Sequence, residues 1–198
     1  MVKIADLEKN DVTVIFLRYV FSLRSRQSPL APDLVLKTIA QTLRGDLVSF
    51  LPKHLGGDGS GEHLPKVSLR SQCSGKGTDY YPVYYRSKEN TLTVCMDKVK
   101  DTMVLRENFI REMHLSRYES RSGLTPDENL MHNCFLACRE SMKLYTNKED
   151  ELRTVGSTCA KHLFKYRNEG WEQRFSKDVF SRYTQRLLTE TVNTFEAR

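Results

Sequence analysis

The stretch YYPVYYRSKENTLTVC, residues 80–95, limits the fold more than any other part of the chain. It holds two runs rich in Tyr, Val and Thr on either side of Ser87-Lys88-Glu89-Asn90. Aromatic and β-branched residues around a short polar break predict a β-hairpin. From about Asp97 to Arg121 the spacing turns helical, with Val99, Met103, Ile110 and Met113 at intervals of four, seven and three. Gly123 and Pro126 end that run. A hairpin set among helices predicts an α+β fold.

Upstream, residues 12–27 and 33–54 read as two helices. Pro32 and Asp33 open the second, and Leu34, Ile39, Leu43, Leu47 and Leu51 recur close to helical spacing. GGDGSGEHLP, 56–65, reads as a flexible connection and the clearest internal boundary. The expected organisation is a helical region over 1–55, a linker over 56–65 and a domain over 66–198. That domain contains helices at 127–145 and 149–166. An amphipathic one follows at 172–196, with Phe175, Val179, Tyr183, Leu187, Val192 and Phe195 on one side.

With 39% hydrophobic and 28% charged residues in 198, the chain can bury a core. The most apolar run, VTVIFLRYVFSL at 12–23, is interrupted by Arg18, so no membrane span is expected. A net charge of +6 suits an acidic protein partner, an anionic lipid surface or RNA. RNA ranks below protein, because no Gly- and aromatic-rich single-strand motif and no long Lys/Arg block is present. MVKIADLEKND lacks an apolar core, so no secretory signal is expected at this start. Five cysteines at uneven spacing are not a disulfide scaffold, though one or two bridges fit an oxidising compartment.

The candidate site is FIREMHLSRYESR, Phe109 to Arg121. A catalytic zinc takes three protein ligands and leaves a position for water. HExxH supplies two of them from one helix turn, with its Glu as general base. The corresponding pentad here is Arg111-Glu112-Met113-His114-Leu115.

Around this pentad the chain resembles the mitochondrial inner-membrane metalloprotease family that matures membrane subunit 6 of ATP synthase and assists its assembly. Cys95 ends TLTVC, Arg111 stands sixteen residues on, and Arg121 falls six past Leu115, the spacing of that family's strand cysteine, first His and later Arg. Asn129 and His132, then Ala137, Cys138 and Glu140, are similar to its downstream segment. Thr158-Cys159 and Cys73 resemble its late and early cysteine segments, so the similarity spans about residues 73–165. The resemblance implies a zincin-like core of hairpin and helices.

The departures decide the chemistry. Arg111 places a permanent cation where the first ligand would sit, and Leu115 has no donor atom. His114 is one residue from Leu115, about 100° around the helix, and points off the ligand face. Without a metal Glu112 has no polarised water to deprotonate, and a salt bridge to Arg111, Arg117 or another cation is its expected use. The expectation is a pseudoprotease with no cofactor, acting as a structural subunit or assembly factor of a mitochondrial inner-membrane complex. ATP synthase is the favoured assembly and a mitochondrial ribosome the next. The rival enzyme reading uses displaced ligands His114, His132 and Glu140.

Other clusters carry weaker signals. Cys134, Cys138, Cys159 and His162 have donor types suited to a structural zinc site, with His132 as a further donor. The alternatives are buried apolar packing of Cys134 and Cys138, or a bridge from one of them to Cys159. The 56–62 segment lacks the Lys-Ser/Thr of a phosphate loop and reads as a linker. Tyr80, Tyr81, Tyr84 and Tyr85 suit cross-strand packing better than base stacking. Lys161, His162, Lys165 and Arg167 form either a solvated helix face or a contact for phosphate or an acidic partner.

Overall fold

The computed structural model describes residues 2–3, 30–57, 64–73, 82–117 and 122–167. The helices expected at 12–27 and 172–196, and Tyr80, Tyr81 and Arg121, lie outside the described residues. The chain divides into two compact units, Met1–Arg117 and Tyr118–Arg198. This boundary differs from the one read at 56–65. The helix before the Gly-rich segment packs against the helix after the hairpin, so both belong to the first unit.

Among its described residues the first unit combines two helices with a mixed sheet. Helix α1, Pro32–Arg44, starts on a proline that needs no amide partner there and carries Asp33 in its first turn and Arg44 in its last. It buries Val35, Leu36, Ile39, Ala40 and Leu43. The expected helix to residue 54 stops ten residues short, at Arg44, with Gly45 as its cap. Two 3-10 turns follow, Val48–Phe50 and Lys53–Leu55. Leu47, Phe50 and Leu51 are buried from these turns, and so extend the apolar periodicity past the true helix end. Gly56 adopts φ 89°, and a Cβ on Gly57 would lie 1.6 Å from the Leu51 carbonyl oxygen. These two glycines of the expected linker are therefore required by a tight turn.

Among the described residues the sheet has four strands: β1 (Val2–Lys3), β2 (Lys66–Arg70), β3 (Val83–Arg86) and β4 (Thr91–Cys95), in the order β1-β2-β4-β3. β2 pairs antiparallel with β1 and parallel with β4, while β3 and β4 form the expected antiparallel hairpin. Its connection is a 3-10 turn, Ser87–Glu89, closed by Asn90 at φ 43°, a left-handed conformation that asparagine tolerates. Central β4 is buried along its whole length, whereas β2 alternates and buries Val67 and Leu69. β2 is not among the expected strands: KVSLR alternates polar and apolar residues, but over only five positions with two apolar ones.

Helix α2, Thr102–Ser116, begins at Asp101, whose carboxylate accepts from the amides of Met103 and Val104. It packs on α1 and on β3. All six residues from Asn108 to Met113 are buried, so this segment is enclosed on every side. Arg106 and Asp46 meet through two 2.6 Å hydrogen bonds, tying α2 to the chain just past α1.

The described residues of the second unit form a helical hairpin. Helix α3, Pro126–Met142, opens with a capping box in which Thr125 and Glu128 satisfy each other's backbone amides. Helix α4, Glu149–Arg167, packs along it. The shared core contains Met131, Phe135, Leu152, Ala160, Leu163 and Phe164. A Cβ added at Gly156 would sit 3.6 Å from the Arg139 Cα, an ordinary packing distance where α4 meets α3. Arg139 reaches Glu149 at 2.8 Å. The fold class is α+β, and no helix among the described residues is long and apolar enough to cross a membrane.

Candidate functional site

Helix spacing and the enclosure of α2 fix the surroundings of the pentad. Arg111 is almost fully buried; its guanidinium donates to Asn108 Oδ1 and lies 3.3 Å from Glu107 Oε1. Both partners come from the preceding turn, three and four residues back, where helical neighbours meet. Leu115 is buried as an apolar side chain. The two positions that would present imidazoles thus hold a paired cation and a core leucine.

Glu112 is fully buried, and its Oε2 accepts from the backbone amide of Tyr85 at 2.8 Å. The geometry of β3 explains this contact. The Cys95 amide donates to the Pro82 carbonyl at 2.7 Å, and the register pairs Val83 with Val94 and Tyr84 with Thr93. In an antiparallel pair alternate residues exchange both bonds, so Tyr84 turns its backbone toward β4 and Tyr85 turns its amide outward. β3 is the edge of this sheet, and Glu112 satisfies an outward amide there. A salt bridge is the use expected for Glu112; the contact found is with the Tyr85 amide, a role that spacing does not reveal.

His114 faces elsewhere, with its ring 4.8 Å edge-on from Phe50. Arg117 lies 3.7 Å above the same Phe50 ring. One aromatic from the turn after α1 thus receives two side chains from the end of α2, and no spacing in the sequence points to Phe50.

Among the displaced-ligand candidates, His132 is buried in α3, and Glu140 pairs with Lys143 at 2.6 Å on that helix. Both belong to the second unit, whereas His114 belongs to the first. Asn129 donates to the Leu124 and Thr125 carbonyls and so helps close the start of α3. Among the described residues no group of three or more His, Cys, Asp or Glu is placed to hold a metal ion. The pentad itself does not fit zinc: a guanidinium and an isobutyl group supply no lone pair.

Two disulfides are formed. Cys73–Cys95 ties the chain after β2 to the end of β4, and Cys138–Cys159 ties α3 to α4. Cys134 is buried and takes part in neither. A disulfide sulfur is not a thiolate ligand, so the Cys138–Cys159 bridge and a zinc site of Cys134, Cys138, Cys159 and His162 are alternative states of the same residues.

Of the tyrosines, Tyr84 pairs with Thr93 and Tyr85 with Leu92 across the hairpin. Tyr85 also donates its hydroxyl to Asn90 at 3.0 Å, and burial raises its pKa above the usual phenol range. Lys161, His162 and Lys165 are exposed on the second half of α4, beyond the acidic Glu149, Asp150 and Glu151 of its first turn.

No family model matches this chain, and neither the curated proteins nor the solved structures contain a match.

Proposed function

We infer that this chain is a non-catalytic relative of the zincin-type metalloproteases. In this reading it is a structural subunit or assembly factor of a mitochondrial inner-membrane complex, with ATP synthase or another respiratory complex favoured. One observation carries this: the two ligand positions hold Arg111, buried and paired with Glu107, and Leu115, buried in the core. A buried cation one helical turn from a leucine opposes a divalent ion by charge and offers it no donor.

Glu112 supports the same reading. Its carboxylate binds the Tyr85 amide, so the residue that would act as general base has a structural use. The basic charge and both disulfides bear on location. Two bridges suit an oxidising compartment, which favours the intermembrane-space face of the inner membrane over the matrix.

The test joins three measurements: metal content of the purified protein, peptidase activity with and without Glu112→Gln, and co-purifying proteins from mitochondria. The reading expects no stoichiometric zinc, no activity sensitive to that substitution, and recovery of inner-membrane complex subunits. Zinc at about one ion per chain with hydrolysis lost on Glu112→Gln would establish the enzyme instead. Recovery of ribosomal RNA, with affinity falling steeply with salt, would favour the ribosomal alternative.

A further inference from the structure

The second unit carries three cysteines on two facing helices, Cys134 and Cys138 on α3 and Cys159 on α4. Cys134 and Cys138 are four residues apart on α3, on one face and one turn from each other. At that spacing Cβ atoms are about 5–6 Å apart. Both cysteines are fully buried, and Cys138 is bonded to Cys159 of α4 with a Cα–Cα distance of 5.9 Å. Side chains on a helix lean toward its N-terminus, so the Cys138 sulfur leans over the turn that carries Cys134. Cys134 belongs to neither disulfide and thus retains its thiol.

We propose that Cys134 is a resolving thiol that exchanges with the Cys138–Cys159 bridge, giving the α3–α4 hairpin two disulfide-locked registers. In the step, the Cys134 thiolate attacks the Cys159 sulfur and a Cys134–Cys159 bond forms. The Cys138–Cys159 bond breaks, and Cys138 leaves as a thiolate that takes up the proton Cys134 released. One disulfide is lost and one is gained, so no oxidant or reductant is consumed.

Attack on Cys138 is the poorer route. It would require an intrahelical bridge between residues four apart, whose Cβ separation exceeds the roughly 3.5–4.5 Å that a disulfide spans. The productive exchange moves the anchor point on α3 by one turn, about 6 Å of rise. The residues flanking the bridge are compatible with such a shift. Ala137, Gly156 and Ala160 are small, and Gly156 lies against the backbone of Arg139. Because a thiolate must form at a buried sulfur, exchange proceeds through local opening of the hairpin. Cys159, half-buried, gives an external thiol access to the same bridge.

The experiment is disulfide mapping of the full chain. The native protein is incubated with a trace of reduced glutathione, quenched in acid, and digested with pepsin, which separates Cys134 from Cys138 by cleaving after Phe135. The expected map contains the Cys138–Cys159 peptide with a minor Cys134–Cys159 peptide, on the order of 0.1–10% as for a minor conformer. Cys134→Ser abolishes the minor peptide and leaves the major one. Cys138→Ser, treated with oxidised glutathione as the two-electron oxidant, is expected to form Cys134–Cys159 as its main bridge in this unit. The wild-type map is decisive, because it does not depend on how the variants fold: Cys138–Cys159 alone, after prolonged incubation, overturns the proposal.

Discussion

Replacing Glu112 with alanine separates a structural carboxylate from a catalytic one. In the structure Glu112 is fully buried and its Oε2 accepts from the Tyr85 amide at 2.8 Å on the sheet edge. A hydrogen bond to a charged group contributes about 1.5–3 kcal/mol, and an orphaned buried amide costs about 1–3 kcal/mol. These are two descriptions of one loss, to which the emptied side-chain volume adds, so about 3 kcal/mol is expected for Glu112→Ala. For a chain of this length, at about 2–4 °C per kcal/mol, the melting temperature should fall by roughly 6–12 °C. Glu112→Gln keeps an acceptor oxygen of the same reach and removes a buried charge, so its loss should stay within about 1 kcal/mol. Thermal unfolding followed by circular dichroism reads both variants under non-reducing conditions. An alanine variant that melts within about 2 °C of wild type would refute the structural role. So would a glutamine variant that loses as much as alanine.

Placing imidazoles at both positions with Arg111→His and Leu115→His should raise zinc affinity above that of the wild type, measured by calorimetry; no gain in binding would count against a zincin-like placement of this helix. Replacing Cys73 and Cys95 by alanine should cost about 3 kcal/mol in urea unfolding, the loop-closure entropy of a bridge spanning 22 residues. Gly57→Ala should cost about 2–3 kcal/mol, because its Cβ would meet the Leu51 carbonyl at 1.6 Å. Gly156→Ala should instead raise stability by about 0.5–1 kcal/mol, since the added methyl meets only ordinary contacts beyond 3.6 Å and the helix gains a better former.

Much of the fold was legible because it rests on local rules. The hairpin around residues 87–90, the helix at 102–116 and the pair at 126–142 and 149–167 all follow from spacing, caps and turn residues within a few positions. The paired surroundings of Arg111 were also within reach, since Glu107 and Asn108 lie one turn back on the same helix. Chemistry of the pentad needed no coordinates: guanidinium and isobutyl groups offer a metal no lone pair in any fold.

What tertiary structure decided are the contacts between distant segments. Glu112 and Tyr85 are 27 residues apart, and only the alternation of β3 against β4 turns that amide outward. Apolar periodicity ran through Leu47 and Leu51 because buried turns need apolar residues as much as helices do, so only the folded backbone placed the end of α1. Two bridges among five cysteines allow about fifteen pairings, and sequence spacing does not rank them. Cys73 meets Cys95, and Cys138 meets Cys159, because a parallel β2–β4 pair and a helical hairpin bring those Cα atoms within 6 Å. Local chemistry is a property of side chains in sequence; pairing across the core is set by the packing that buries them.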